Sequence, residues 1–156
     1  MKTSATLRVN GHDFPVEIDP HLSLLKAVRD EIGLTGAKEG CDDSECGACM
    51  MLLDGKPVNS CSYLALQAEG REVTTVEGLS EADRLAPLQR AFLEENGVQC
   101  GFCTPGMLVS ATALLRSDPD PSEDDVRIAL AGNLCRCTGY GGIVRAVRSV
   151  AAGAGG

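Results

Sequence analysis

The sequence predicts an α+β chain, with a small mixed sheet crossed by one helix in its first half and four helices in its second. Three observations carry this. Short apolar runs with strand-like alternation fill the first half, and the spacing shifts towards 3.6 after the stretch VEGLSEADRL. Turn dipeptides punctuate the first half, whereas cap residues and helix-start prolines punctuate the second. Eight cysteines divide four and four between the halves.

Taken in order, TLRV alternates, Asn10-Gly11 is a two-residue hairpin signal, and FPVEI is the returning strand. Pro15 lacks an N–H and suits an edge or a strand start. SLLKAVRDEI repeats Leu24, Leu25, Val28 and Ile32 at helical spacing, with Ser23 as N-cap and Gly33 as stop. A glycine-containing loop follows, then MMLL, the turn Asp54-Gly55, a second strand, and REVTTV as the last. A mixed sheet with a helix across it is a β-grasp-like arrangement.

The helices are predicted from LAPLQRAFLEEN, TPGMLVSATALLRS, SEDDVRIALAGN and GGIVRAVRSVAA. Thr104 and Pro105 read as cap and first-turn proline of the second, and Ser122 as cap of the third. Short connections between four helices point to a bundle. The boundary falls near residues 77–83, dividing the chain into 1–78 and 79–156. The terminal GAGG is expected to fray.

Aromatic residues make up only 3% of the 156 residues, so neither half draws much on aromatic burial. Domains of this size often need a covalent or metal staple. The net charge of −8 argues against nucleic acid or an anionic membrane as partner. There is no signal-peptide pattern and no apolar run long enough to span a bilayer. These features predict a cytoplasmic protein, where thiols stay reduced and cysteines serve as metal ligands rather than disulfides.

Cys41, Cys46, Cys49 and Cys61 have the C-x4-C-x2-C…C spacing of a plant-type [2Fe–2S] site. Gly40 and Gly47 let the loop approach the sulfurs closely. Cys100, Cys103, Cys135 and Cys137 form the second set, a C-x2-C before one helix and a C-x-C after another. Two neighbouring thiols in C-x-C cannot easily pair as a disulfide, but they suit a dinuclear metal group gripped by two helix ends. Zinc is the rival, since it too takes four thiolates; its habit of paired C-x2–4-C knuckles fits this spacing poorly.

The stretches LTGAKEGCDDSECGAC, QCGFCTPGM and GNLCRCTGY, in this order, resemble the small iron–sulfur subunit of the molybdenum hydroxylases, the xanthine oxidase family. The likeness spans nearly the whole chain. It implies a plant-ferredoxin-like β-grasp domain over 1–78 and a helical-bundle domain over 79–156, each with one [2Fe–2S] cluster. It also implies a large molybdopterin-binding subunit and a medium FAD-binding subunit as partners, in a hetero-oligomer such as a dimer of heterotrimers. Gln99 and Cys137 would lie against the pterin, and electrons would run from molybdenum through the helical-domain cluster and the ferredoxin-like cluster to FAD or an external acceptor. In some members the flow runs inward, to reduce aromatic acyl-CoA esters. No catalytic residue is expected on this chain.

The insert Asp42-Asp43-Ser44-Glu45 departs from the glycine found there in many members, and a solvated loop is its simplest reading. His12 and His21 read as surface residues, and no nucleotide-binding motif is present. Arg136 reads equally as a solvated residue or as one facing a partner. Tyr140 reads as core packing near the second set.

Overall fold

Strands β1 (Thr3–Val9) and β2 (His12–Ile18) form the predicted hairpin, closed by Asn10 and Gly11 with φ of 52° and 78°. That left-handed pair matches the twist of the flanking strands, which is why Asn-Gly occupies it. The computed structural model describes residues 1–80 and 83–153. Strands β3 (Met50–Leu53), β4 (Lys56–Asn59) and β5 (Glu72–Thr74) complete a mixed sheet in the order β2-β1-β5-β3-β4. β1 and β5 are parallel and every other neighbouring pair is antiparallel. Pro15 and Pro57 both lie on edge strands, where a missing N–H disturbs no central ladder.

The predicted first helix forms, but not as a uniform α-helix. α1 (Leu24–Lys26) makes one α-turn, capped by the Ser23 hydroxyl, which accepts the Lys26 N–H at 3.3 Å. It then widens into a π-turn over Ala27–Glu31, with the Ile32 N–H bonded to the Ala27 carbonyl at 3.1 Å. Leu24, Leu25, Ala27 and Val28 are all buried in the core beneath the sheet. Arg29 holds the following loop by donating to the carbonyls of Thr35 (2.8 Å) and Ala37 (2.5 Å).

Four helices make the second half: α2 (Pro87–Glu94), α3 (Thr104–Ser117), α4 (Glu123–Ala129) and α5 (Gly141–Gly153). α5 packs on α2 and α4, and α3 on α4 and α2. Ser122 and Asp125 cap α4 reciprocally: the Ser122 hydroxyl accepts the Asp125 N–H at 3.1 Å, and the carboxylate accepts the Ser122 N–H at 3.0 Å. The start of α3 corrects the sequence reading. Cys103 is the cap position and Thr104 is already helical, its hydroxyl buried without a partner. The cysteine's place at the edge of the site, rather than the threonine's capping preference, sets where this helix begins.

Two apolar clusters hold the fold. One gathers Leu7, Ile18, Leu25, Val28, Met51 and Val73; the other gathers Phe92, Met107, Val126, Ile143 and Val147. Each fully buried Leu, Ile, Val, Phe or Met side chain contributes about 1.5–3 kcal/mol. The sheet is also covered on its second face, because α3 crosses β3 and β4. Leu52 is therefore as buried as Met51 and Leu53, although its side chain points the opposite way along the strand. Val76 and Leu79 carry the chain onto the second cluster. The predicted boundary at 77–83 includes residues 81 and 82, and the predicted frayed tail includes 154–156; both lie outside the described residues.

Candidate functional site

The first four thiols sit on the loop between α1 and β3 and on the turn after β4. Cys41 and Cys46 are half-buried and adjacent, the Cys46 N–H pointing at the Cys41 sulfur at 3.4 Å. Cys49, just before β3, and Cys61, on a short turn at Ser60–Ser62, are buried and in contact. Ser60, fully buried, fixes that turn by donating to the Cys49 carbonyl at 2.6 Å. A Cβ added at Gly40 would come within 2.7 Å of the Cys46 sulfur, so the loop passes the thiols at a distance only glycine allows. Asp42, Asp43 and Glu45 are exposed, as the solvated-loop reading expects.

The second four converge where α3 begins and where the α4–α5 connection turns. Cys100 and Cys137 are exposed, with sulfurs 3.6 Å apart. Cys103 and Cys135 are half-buried and meet behind them. Gln99 is exposed beside this outer pair, on the same loop as Cys100. All eight cysteines are free thiols.

The protonation chemistry follows burial. Burial pushes the Cys49 thiol up to about 11 and the Cys103 thiol up to about 12. Burial also acts against the Cys135 thiolate, but hydrogen bonds from the hydroxyl and N–H of Thr138, with the Cys137 N–H and the Cys103 thiol, outweigh it and bring that thiol down to about 7. Thiols at 11 to 12 stay protonated at neutral pH, and a bound metal ion would draw those protons off. Paired sulfurs, backbone N–H groups aimed at them and a glycine cradle fit a sulfur-rich dinuclear group. When bound, such a group supplies a one-electron redox couple.

The two sets are neighbours. The Leu134 N–H, one residue before Cys135, donates to the Cys46 carbonyl at 2.9 Å. The Asn133 side-chain amide donates to the Gly47 carbonyl at 3.1 Å. The loop carrying the first thiols thus touches the loop carrying the second through backbone groups.

Sequence reasoning missed Thr138, Asn59 and Asn133, and read Tyr140 only as packing near the second set. Thr138 bonds the Cys135 sulfur, and the Tyr140 hydroxyl accepts the Cys135 N–H at 2.8 Å. Asn59 ties the first loop by donating to the Ser44 carbonyl at 3.2 Å, and Asn133 joins the two loops. Thr138 and Tyr140 stand within the quoted CTGY stretch, so their nearness was visible and only their roles were not. His12, His21 and Arg136 are exposed.

A mixed-sheet unit and a helical unit, each presenting four free thiols, are the arrangement of an iron–sulfur protein. Residues 7–86 match the family described as a 2Fe-2S iron–sulfur cluster binding domain, and residues 75–148 match the [2Fe–2S] binding domain family. The chain is 46% identical over 147 residues to the nicotinate dehydrogenase small FeS subunit of Eubacterium barkeri, covering 94% of each. It is 50% identical over 141 residues to the nicotine 6-hydroxylase small subunit of Paenarthrobacter nicotinovorans, covering 90% of this chain and 85% of that one. Its fold matches a chain of quinoline 2-oxidoreductase from Pseudomonas putida 86 with TM-score 0.94 at 45% identity, over 96% and 93% of the two chains. The protein belongs to the small iron–sulfur subunits of the molybdenum hydroxylase, or xanthine oxidase, family, and as such is the electron-transfer component of an oxidoreductase.

Proposed function

We propose that the chain holds one [2Fe–2S] cluster in each half and passes single electrons between a molybdopterin centre and FAD or an external acceptor, both groups residing on partner subunits. Cys41, Cys46, Cys49 and Cys61 are the ligands in the ferredoxin-like unit, residues 1–78. Cys100, Cys103, Cys135 and Cys137 are the ligands in the helical unit, residues 79–156, which this reading takes as a four-helix bundle.

One observation carries the proposal: eight free thiols stand as two sets of two close pairs, on loops that touch. A dinuclear group takes two thiolates on each iron, so paired sulfurs suit it. The outer pair of the second set, Cys100 and Cys137, is exposed beside Gln99. That face is where the large molybdopterin subunit docks, with Gln99 and Cys137 against the pterin. The first set serves the medium, FAD-binding subunit, and the whole is a hetero-oligomer, arranged as a dimer of heterotrimers. Among the described residues no helix is long and apolar enough to cross a membrane. We place the complex in the cytoplasm, where free thiols persist.

The test is metal and sulfide analysis with EPR of the dithionite-reduced protein, purified with its partner chains. Two distinct signals and about four irons per chain are expected for two dinuclear clusters. A colourless protein with zinc and no acid-labile sulfide would overturn the reading.

A further inference from the structure

Among the buried polar atoms, Asn133 Oδ1 stands out. The residue is 2% exposed, yet this oxygen has no hydrogen-bond partner. Burying an unpaired acceptor costs stability, so the position of the rest of the side chain must matter more. The other end of the amide, Nδ2, donates to the Gly47 carbonyl, 86 residues away in sequence. The amide cannot be turned round, because Oδ1 would then face that carbonyl, acceptor against acceptor.

The neighbourhood is built to bring backbones together. Gly47 has a φ of 71°, and a Cβ there would collide with the Gly132 carbonyl oxygen. A Cβ on Gly106, in the first turn of α3, would collide with the Gly47 carbonyl oxygen. Two glycines thus clear a seam that main chain and the Asn133 amide share. Across it runs the Leu134 N–H to Cys46 carbonyl bond, joining a first-set cysteine to the residue preceding a second-set one.

We propose that Asn133 is a positioning residue for electron transfer between the two centres. It latches the Gly47 carbonyl and so holds the Cys46–Leu134 bond closed, fixing the separation of the two thiol sets. The inference rests on the two-cluster reading above. The step it governs moves one electron from the reduced centre to the oxidised one, with no bond made or broken and no proton moved.

The test uses the purified complex carrying Asn133→Asp, which keeps the side chain's size and loses the N–H donor. Asn133→Ser is a smaller lesion of the same latch. Gly106→Ala wedges the seam open from the opposite side, while favouring the helix by propensity. In Asn133→Ser and Gly106→Ala each reduced centre keeps its own g-values and midpoint potential, which a generally damaged fold would not preserve. Asn133→Asp adds a buried carboxylate that lowers both potentials, so in it only the splitting and the transfer rate are read. The low-temperature splitting from spin coupling between the centres narrows, and transfer between them slows. Wild-type splitting and transfer rate in variants that retain both signals would overturn the proposal. Loss of a centre in all three variants would overturn it too, since the seam would then serve assembly alone. A wild-type complex lacking two EPR signals would instead sink the two-cluster reading, so the two failures are told apart.

Discussion

Thr138 meets Cys135 twice, its N–H 3.4 Å from the sulfur and its hydroxyl 3.1 Å from it. Hydrogen bonds to a thiolate favour the more negative, reduced state of the cluster it holds, and so raise its potential. Thr138→Val keeps the shape and removes the hydroxyl. A loss of about 1 kcal/mol is about 40 mV in a one-electron couple, so the helical-unit centre should shift down by roughly that much. Thr138→Ser should restore most of it. Potentiometric EPR titration checks this, with the ferredoxin-like centre as the internal control.

Replacing one thiol per set separates the centres. Cys61→Ser removes a buried thiol of the first set, and Cys103→Ser an inner thiol of the second. Each variant should lose one EPR signal and about half of its iron, keeping the other signal, because each dinuclear group needs its own four thiolates. Loss of the same signal in both variants would regroup the eight sulfurs.

How much of this was legible in the residues follows from how local each feature is. The Asn10-Gly11 hairpin, the Ser23 and Ser122 caps and the helix starting at Pro87 depend on neighbours in sequence, and all are present. The spacing of the cysteines is a local pattern, which is why the proposed division into two sets of four could be read from the sequence. The π-turn after Lys26 was not, since it answers to what the core beneath it accepts rather than to the helix's own residues. Nor was the burial of Leu52 legible: alternation along MMLL points it away from the Met51 and Leu53 face, and it is buried because α3 covers the sheet's second face. The Asn133 latch joins positions far apart in the chain, and no periodicity announces such a contact.

Phe92 is 1% exposed in the core of the helical unit and is its largest fully buried side chain. With few aromatics in the chain, little else can fill its volume. Phe92→Ala should cost about 3–5 kcal/mol, the transfer energy plus the cavity left behind. The cavity lies among α2, α3 and α5 and not under the sheet. On warming, the helical-unit EPR signal should therefore vanish at a lower temperature than in the wild type, while the ferredoxin-like signal follows it more closely to wild-type behaviour. Parallel loss of both signals would mean that the two units melt as one through their shared seam.

The acid limb of stability rests on depressed carboxyls. Arg71, donating to Asp54 at 2.7 Å, holds that carboxyl below its ordinary 3.8, helped by the Glu72 N–H. Ser122 does the same for Asp125, through its hydroxyl and its N–H. A carboxyl whose folded value lies below its unfolded value binds protons more readily once unfolded. Its contribution is complete above the unfolded value and disappears as pH falls through the folded one. Stability should thus decline as pH drops from about 5 to 3, the region in which unfolded carboxyls take up protons. Asp54→Asn removes one of these groups and should flatten that limb, leaving neutral-pH stability slightly lower, since the Arg71 pair is exposed and weak. Urea denaturation of wild type and variant at matched pH values checks this, because acid loss of the clusters is common to both and cancels in the difference. Added salt should shrink the difference, as screening does for exposed pairs; a difference that persists undiminished in high salt would place the effect in the Glu72 backbone bond instead.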